Sequence, residues 1–320
     1  MTSKLILDLD TGIDDALALA YALASDEVEL IGVTCTYGNV LVEQSVRNTL
    51  AILELFGRGD VPVYAGPGHA RAKDSFEVQD ISAFIHGKNG IGEVEIPEAA
   101  RQVEKTPAVD FLVEAVERYG DDLVIVPTGP STTIAAAIEA SNVFRDSARI
   151  VMMGGALTVP GNVTPWAEAN IHQDPEATDL MFRSLRNVTM IGLDVTLKTL
   201  LTTTETAKWA ELGTAGGNFL AAITNYYIEA YKTTSPHLGG CGLHDPLAVA
   251  VAIDPGLVDT FGINMKVDTE GDTRGRTIGD ETRLNDPDKC AAVALRVDTQ
   301  GFLDEFMRRL TVLALSTPVV

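Results

Sequence analysis

The chain has 320 residues, of which 46% are hydrophobic, and its 24 lysines and arginines against 45 aspartates and glutamates give a formal net charge of −21. The hydrophobic fraction excludes an intrinsically disordered chain, and the shortage of basic residues excludes nucleic acid and anionic membrane surfaces as general partners. The three cysteines are odd in number and widely spaced, which excludes a disulfide framework and favours the cytoplasm.

Strand-like apolar runs alternate with helical patterns over the first 193 residues. Strands are predicted at 5–7, 28–35, 61–64, 123–126, 150–153 and 188–193, and helices at 16–24, 41–56, 109–119, 131–140 and 175–184. This alternation predicts an α/β fold with an open, mostly parallel sheet and helices on both faces. In such sheets the active site lies at the carboxyl ends of the strands.

The rest of the chain departs from this alternation. Residues 202–253 are mostly helical, which predicts extra helices toward the C-terminal half, and apolar segments at 261–267 and 290–297 precede a last helix. The segment 66–106 has little periodicity and is expected to be a functional or mobile loop. No linker-like tract divides residues 1–320, so a single domain is expected. No signal peptide or membrane-spanning run is recognised.

Four carboxylates fall within eight residues directly after the first predicted strand, at Asp8, Asp10, Asp14 and Asp15. Four acids held close together repel one another unless a cation neutralises them. A set of oxygen ligands selects a hard cation, Ca²⁺ or Mg²⁺. The structural alternative is that Asp14 and Asp15 favour a helix N-terminus while Asp8 or Asp10 caps a turn.

A second cluster, His244-Asp245-Pro246, directly precedes an apolar helical run. Taken alone, Asp245 is more typical of a helix N-cap, with proline at the first helical position, than of a metal ligand. A lone histidine such as His244 is likewise more often structural than catalytic. This motif therefore gains functional meaning only in combination with others.

A third segment runs from Met153 through two glycines to Asn162, Glu168 and Asn170. Glycines at the end of a strand allow the backbone to approach a ligand closely. The amide and carboxylate groups that follow supply several hydrogen-bond donors and acceptors, which suits a polyhydroxy ligand such as a sugar. An ordinary polar loop is the alternative.

Eight motifs in the same order resemble those of the nucleoside hydrolase family, often described as inosine-uridine preferring. They are Asp8-Leu-Asp10-Thr-Gly12-Ile-Asp14-Asp15, Gly38-Asn39, Arg47-Asn48-Thr-Leu50, Pro127-Thr128-Gly-Pro-Ser-Thr, Met153-Gly-Gly155, Gly161-Asn-Val-Thr-Pro165 with Glu168 and Asn170, Asp174-Pro-Glu-Ala177 and His244-Asp245-Pro246. The resemblance is good from residue 4 to about residue 255 and weaker beyond. One departure is Ala169, where the family often has phenylalanine.

The resemblance implies a bound Ca²⁺ ion and a hydrolytic reaction. The carboxylates of Asp10, Asp15 and Asp245 and the backbone carbonyl of Thr128 would ligate the ion, together with the substrate's 2′ and 3′ hydroxyls and a water. Asp10 would also be the general base that takes a proton from this water. The implied activity is hydrolysis of the N-glycosidic bond of ribonucleosides to ribose and free base, through an oxocarbenium-like transition state.

The resemblance also implies a set of substrate contacts. The ribose would be held by Asp14, Asn39, Asn162, Glu168 and Asn170, with Met153 against the sugar. His86 and His244 would border the base, and His244 is predicted to protonate it as the leaving group. Tyr227 and Tyr231 are candidates for lining the base, with core packing as the alternative. Because family members are often dimers or tetramers, a homodimer or homotetramer is expected.

Two other functions remain open at this point. The opening acidic motif also fits a haloacid-dehalogenase-like phosphatase, with Asp8 as nucleophile, Asp10 as acid and base, and a late acidic motif at Asp280 or Asp286. A calcium-dependent nucleoside or ribose binder without catalytic activity is the second alternative. The sequence does not name the preferred base.

Overall fold

The computed structural model describes residues 3–320. The strands are β1 (Ser3–Leu9), β2 (Val28–Cys35), β3 (Val63–Ala65), β4 (Leu123–Pro127), β5 (Ile150–Met153), β6 (Val188–Ile191), β7 (Leu200–Leu201), β8 (Cys241–Gly242), β9 (Val258–Ile263), β10 (Met265–Val267), β11 (Thr277–Gly279) and β12 (Ala291–Val297). The α-helices are α1 (Ile13–Leu23), α2 (Val42–Leu55), α3 (Asp80–His86), α4 (Ala108–Tyr119), α5 (Thr132–Ala140), α6 (Asn142–Ser147), α7 (Ala169–Gln173), α8 (Pro175–Ser184), α9 (Leu193–Thr196), α10 (Thr203–Ala210), α11 (Ala215–Thr234), α12 (His244–Ile253) and α13 (Thr299–Leu315).

Eight of these strands form the main sheet, in the order β3-β2-β1-β4-β5-β6-β12-β9. Neighbouring strands are parallel except for β9, which is antiparallel to β12 at the edge. The predicted open, mostly parallel sheet is confirmed. In the centre of the sheet Asp8 of β1 pairs with Thr34 on one side and with Pro127 on the other. The carboxyl ends of β1, β2 and β4 therefore meet at one place.

Strand β1 is apolar at successive positions because helices cover both faces of the sheet. Leu5, Leu7 and Leu9 are buried in one cluster that includes the side chains of α1, whereas Ile6 is buried in a second cluster with Leu112 of α4. Successive side chains of a strand point to opposite faces, and a strand buried on both faces needs apolar residues at each. This packing fixes the position of the acidic segment that follows β1.

The apolar segment 261–267 does not form one element. Its first part belongs to β9 in the main sheet, and its second part, β10, pairs with β11 in a separate hairpin. Asn264 lies between the two and is buried. Its side chain donates to the carbonyls of Arg283 and Asp288 and accepts from the backbone N–H of Cys290. These bonds end the strand and hold the following polar segment.

Two further expectations need correction, and one holds. The segment 66–106 is not wholly irregular, because it contains α3, which packs against α11. The strand expected over 188–193 ends at Ile191, since α9 begins at Leu193. The extra C-terminal helices are present as α10 to α13. Within residues 3–320, the helices are too short or too polar to cross a membrane.

Candidate active site

A cavity of about 800 Å³, measured with its open mouth, lies at the carboxyl ends of the central strands. Thr128 directly follows β4 and Met153 is the last residue of β5, while Asp14 and Asp245 lie in the first turns of α1 and α12. The fold thus brings together side chains that are far apart in the sequence, as expected for a parallel sheet.

Most of the candidate residues line this cavity: Asp14, Asn39, His86, Thr128, Met153, Asn162, Glu168, Asn170, Tyr227, Tyr231, His244 and Asp245. Asp10 and Asp15 are fully buried and join the group through Asn39. Sequence reasoning did not single out other lining residues, among them Ile81, Ser82, Ile85, Thr234 and Ser235. No motif marks them, because their position depends on how α3 and the end of α11 lie beside the cavity.

Asn39 connects the carboxylates of Asp10 and Asp15. Its backbone N–H donates to Oδ2 of Asp10 at 2.6 Å, and its side-chain amide donates to Oδ2 of Asp15 at 3.2 Å. Asp15 also accepts from the backbone N–H of Gly12 at 2.8 Å and from the Thr128 hydroxyl at 2.7 Å. The preceding Gly38 has φ 155°, and a Cβ atom there would overlap the Asp10 carboxylate. This close approach requires glycine.

The acids of the cluster carry strongly perturbed pKa values. Burial and the charge of Asp15 raise the pKa of Asp14 to about 7. Burial, together with the neighbouring carboxylates, raises the pKa of Asp10 and of Asp245 well above the usual range. The Oδ1 atoms of Asp10 and Asp14 are buried without a hydrogen-bond partner among the described residues. Buried carboxylates that repel one another and lack partners indicate a position for a cation.

Carboxylate oxygens of Asp14, Asp15 and Asp245 lie within 4.8 Å of one another, so this buried trio can hold a metal ion. The helix-cap interpretation of Asp245 is wrong. The N-cap of α12 is Leu243, and Asp245 lies inside the first turn with its carboxylate directed toward the other acids. Asp174, which also precedes a proline, is a true cap and accepts from the N–H of Ala177 at 3.0 Å.

One wall of the cavity is built from amide and carboxylate groups. Glu168 caps α7 and accepts from the backbone N–H groups of Asn170 and Gly155, each at 3.0 Å. The Asn170 amide donates to the Thr128 carbonyl at 2.6 Å. Asn162 accepts from the N–H of Ala169 at 3.0 Å. These bonds to the backbone hold the polar groups in fixed orientations before any ligand binds.

Another part of the cavity lining consists of two histidines and two tyrosines. The Nδ1 atom of His86 accepts from the N–H of Ile13 at 3.1 Å, and its ring lies 5.4 Å from that of Tyr227. The Nε2 atom of His244 lies 2.7 Å from the Tyr231 hydroxyl, which lies 3.4 Å from the Tyr227 hydroxyl. Both tyrosines line the cavity, so their position is not explained by core packing alone.

The predicted protonation of the leaving base by His244 requires an imidazole that carries an extra proton near neutral pH, and the surroundings of His244 oppose this. Burial lowers the pKa of His244 to about 4. Burial, together with the repulsion that a protonated His244 would exert, lowers the pKa of His86 to about 3. Both rings are therefore neutral at pH 7. Each can still donate one N–H hydrogen bond and accept another.

The sequence profile of the family described as inosine-uridine preferring nucleoside hydrolase matches residues 5–304 of this chain. The chain belongs to this family. A solved purine-preferring ribonucleoside hydrolase from Gardnerella vaginalis is 63% identical, with a TM-score of 0.96, and 98% of this chain and 99% of that chain are covered. The pyrimidine-specific ribonucleoside hydrolase RihA of Escherichia fergusonii is 34% identical, covering 97% and 99% of the two chains. Uridine nucleosidase 1 of Arabidopsis thaliana is 34% identical, covering 94% and 91%.

As a nucleoside hydrolase, the chain cleaves the N-glycosidic bond of ribonucleosides to give ribose and free base. The phosphatase alternative receives no support from the structure. Asp280, offered there as a late catalytic acid, forms ion pairs with Arg183 at 3.0 Å and Arg283 at 2.8 Å. Burial alone would raise the pKa of Asp280, but hydrogen bonds from Thr282 and Arg283 hold it at about 2. Its role is structural.

Proposed function

We propose that this nucleoside hydrolase prefers purine ribonucleosides and uses Ca²⁺ as its cation. The base preference is supported by the greater similarity to the purine-preferring Gardnerella enzyme than to the pyrimidine-specific and uridine-cleaving relatives. The proposed use of a cation in hydrolysis is supported by one observation: a cluster of buried acids borders a cavity lined with polar side chains.

The cation would be held by the carboxylates of Asp10, Asp15 and Asp245 and by the Thr128 carbonyl. Asp15 and Asp245 belong to the buried trio, whereas Asp14, its third member, lines the cavity and is assigned to the ribose. This assignment is supported by the unpartnered Oδ1 of Asp10 and by the burial of all three carboxylates. The Thr128 carbonyl accepts from Asn170, and its second lone pair can serve a cation. A set of oxygen donors suits Ca²⁺. When bound, the ion would neutralise the acids and polarise the ribose hydroxyls and a water beside them.

The ribose would be bound by Asp14, Asn39, Asn162, Glu168 and Asn170, with Met153 against the sugar. All six line one cavity, and the hydrogen bonds to Asn162, Glu168 and Asn170 limit their movement. A polar wall that is already oriented before binding holds the reacting carbon at a defined position, which lowers the entropy cost of reaching the transition state.

Bond cleavage develops positive charge on the ribose and negative charge on the leaving base. Carboxylates around the ribose, of which Asp14 and Glu168 line the cavity, would stabilise the positive charge. Asp10 would act as the general base toward the attacking water, because its Oδ1 is free of other hydrogen bonds and its pKa is raised by burial.

Protonation of the leaving base would come from the wall formed by His244, Tyr231 and Tyr227, with His86 bordering the base on the same side. Both ring nitrogens of His244 have partners in the protein, Tyr231 at Nε2 and Thr196 at Nδ1. We therefore propose that the Tyr227 hydroxyl gives its proton to the leaving base, and that the tyrosinate so formed is stabilised by the hydrogen bond from Tyr231, which in turn is bonded to His244. Solvent returns the proton to Tyr227 after the base has left, so the His244 imidazole stays neutral throughout. This modifies the expectation of direct donation by His244.

Three further properties belong to this proposal. The free cysteines, Cys35, Cys241 and Cys290, suit the reducing cytoplasm. Residues 1–320 would act as one domain, since the main sheet takes strands from both ends of the chain. The enzyme would assemble as a homodimer or homotetramer, as its family often does, which sedimentation of the purified protein measures.

The base preference is tested by comparing kcat/KM for inosine, adenosine, guanosine, uridine and cytidine in the presence of Ca²⁺. We expect the purine ribonucleosides to exceed the pyrimidine ones by about tenfold or more, equivalent to ~1.4 kcal/mol of transition-state stabilisation. A higher value for uridine than for inosine would contradict the proposed preference while leaving the hydrolase function intact.

A further inference from the structure

The hydroxyl of Thr196 lies behind His244, on the side away from the cavity, and takes no part in the reaction described above. Thr196 is the last residue of α9 and is fully buried. Its Oγ1 lies 2.7 Å from Nδ1 of His244, and among residues 3–320 this is the one hydrogen bond that the hydroxyl makes. A buried hydroxyl directed at a catalytic-site imidazole can determine which ring nitrogen carries the proton.

The contacts continue from His244 toward the cavity. Nε2 of His244 lies 2.7 Å from the Tyr231 hydroxyl, and that hydroxyl lies 3.4 Å from the hydroxyl of Tyr227. Tyr227 lines the cavity. Thr196, His244, Tyr231 and Tyr227 therefore form a row of hydrogen-bonding groups, here called the proton row, that runs from the protein interior to the cavity.

Two proton arrangements are compatible with these distances when the imidazole is neutral. In the inward arrangement, Tyr227 donates to Tyr231, Tyr231 donates to Nε2, and Nδ1–H donates to Thr196. The Thr196 hydroxyl proton then has no acceptor, and an unsatisfied buried donor is costly. In the outward arrangement, Thr196 donates to Nδ1, Nε2–H donates to Tyr231, and Tyr231 donates to Tyr227. Thr196, Nε2–H and Tyr231 then each have an acceptor, and the remaining O–H, that of Tyr227, belongs to a residue that lines the cavity.

The two arrangements differ in what they present to the substrate. In the outward arrangement the Tyr227 oxygen accepts from Tyr231, so its own O–H is free to donate into the cavity. In the inward arrangement the same O–H is used within the protein. A leaving base that develops negative charge needs a donor rather than an acceptor. The outward arrangement is therefore the one suited to catalysis.

We propose that Thr196 is a positioning residue that donates to Nδ1 of His244, holds the ring in its Nε2–H tautomer and so directs the proton row outward. Thr196 acts through His244 and does not contact the substrate. The tautomer follows from the hydrogen bonds alone, whereas its consequence for the leaving base rests on the proposed function.

The tautomer is measured by two-bond ¹⁵N–¹H correlation spectra of the full-length protein labelled at histidine, recorded at neutral pH with and without Ca²⁺. The chain has 5 histidines, and the signals of His244 are assigned by their loss in His244→Gln. We expect a protonated Nε2 and an unprotonated Nδ1. A proton on Nδ1, alone or together with one on Nε2, would overturn the proposal. This readout does not depend on activity, so a failure to cleave any nucleoside would count against the proposed function alone.

The catalytic consequence is measured with Thr196→Val, which keeps the shape and removes the hydroxyl, and Thr196→Ser, which keeps the hydroxyl. Thr199→Val is the matched control, because Thr199 is also buried and its hydroxyl donates to the Thr196 carbonyl at 3.0 Å, outside the proton row. We expect Thr196→Val to lower kcat for inosine by about 10- to 100-fold with little change in KM, the size of effect expected when a buried acceptor, here Nδ1 of His244, loses its donor.

The comparison substrate is p-nitrophenyl riboside, whose leaving group needs no proton. With it, we expect Thr196→Val to stay within about 3-fold of the native enzyme. Thr196→Ser and Thr199→Val should stay close to the native enzyme on both substrates. An equal loss on both substrates would show a merely structural effect and overturn the proposal, as would an unchanged kcat for inosine in Thr196→Val.

Discussion

Asp14, like Asp245, both lines the cavity and contributes to the buried trio, but the proposal assigns Asp14 to the ribose and Asp245 to the cation. We predict that the native enzyme discriminates strongly against 2′-deoxyinosine, by up to roughly 10⁴-fold, because a missing hydroxyl leaves a buried carboxylate without its partner. Asp14→Ala should lower the rate on inosine and reduce the ratio of kcat/KM for inosine to kcat/KM for 2′-deoxyinosine. The measurement is kcat/KM for the two nucleosides.

The control for this prediction is Asp8→Asn. Asp8 is buried in the same segment and accepts from the Thr34 hydroxyl at 2.6 Å, but it does not line the cavity. Asp8→Asn should leave the ratio of kcat/KM for inosine to kcat/KM for 2′-deoxyinosine as large as in the native enzyme. Comparable rates on the two nucleosides in the native enzyme would remove the assigned role of Asp14.

His244 supports a second prediction at this scale. We expect His244→Ala to lower kcat for inosine by about 10²–10⁴-fold, the range for an acid–base group. The loss should be smaller for uridine, whose base offers no N7 atom, and smallest for p-nitrophenyl riboside. His237→Ala, at an exposed position, serves as the control. Equal losses on all three substrates would point instead to displacement of the adjacent Asp245.

At the scale of elements, α13 packs on the core through buried apolar side chains such as Phe302 and Phe306, and one buried arginine adds ion pairs to this contact. Arg309 is 7% exposed and bonds to Glu27 at 2.6 and 2.7 Å and to Glu305 at 2.6 Å. Its guanidinium lies 5.2 Å from the ring of Tyr21 in α1. We predict that Arg309→Ala lowers the free energy of unfolding by about 1–2 kcal/mol, since both glutamates remain partly in water after the change.

The matched control is the neighbouring Arg308, which also pairs with Glu305 but is exposed on 61% of its side chain. Arg308→Ala should leave the free energy of unfolding close to that of the native protein, because water screens an exposed ion pair. Urea unfolding of both variants measures the difference. Losses of equal size would show that burial of Arg309 does not matter to the attachment of α13.

The main elements could be predicted from the sequence wherever apolar residues follow the spacing of a strand or of a helix throughout the segment. β2 has the bounds expected from its apolar run, 28–35, and the strand–helix alternation gave the parallel sheet. Short elements were not predictable, because α3, α7 and α9 are fixed by tertiary contacts rather than by periodicity. The split at Asn264 was missed because it depends on hydrogen bonds to residues about 20 positions away.

The sequence allowed us to predict which residues form the site, but not which of their side chains contact one another. Residues in motifs such as Asp10 and Asp245 could be selected because strand ends converge at one edge of a parallel sheet. The contact between Tyr231 and His244 depends on how α11 lies against α12, which periodicity does not specify. Thr196 carries no motif at all, and only its position behind the imidazole reveals it.

At the scale of the whole molecule, the acid cluster couples stability to pH and to the cation. Burial raises the pKa values of Asp8 and Asp14 to about 7, against a usual 3.8. Between pH 3.8 and about pH 7 the folded metal-free protein therefore binds more protons than the unfolded chain. Because of this difference, its free energy of unfolding falls as the pH rises from about 4 to about 7. A bound cation favours the ionised acids and opposes this loss.

We therefore predict that prolonged chelation lowers the melting temperature more at about pH 8 than at about pH 5.5, and that Ca²⁺ restores it. Activity should disappear and return in parallel. Scanning calorimetry of chelated and Ca²⁺-loaded samples at both pH values measures the effect. Full activity in a verified metal-free sample, or a metal-free protein that is more stable at the higher pH, would contradict the assigned cation site.

The central claim is that the buried acids at the carboxyl ends of the strands cleave the N-glycosidic bond of a ribonucleoside. It is tested most directly by quantifying ribose and free base after incubating the purified chain with inosine and Ca²⁺. We predict equimolar ribose and hypoxanthine from the native enzyme. In Asp10→Asn we predict a rate at least about 10²-fold lower, with an unchanged fold by circular dichroism. Stoichiometric binding of inosine without release of base, or full turnover by Asp10→Asn, would contradict it.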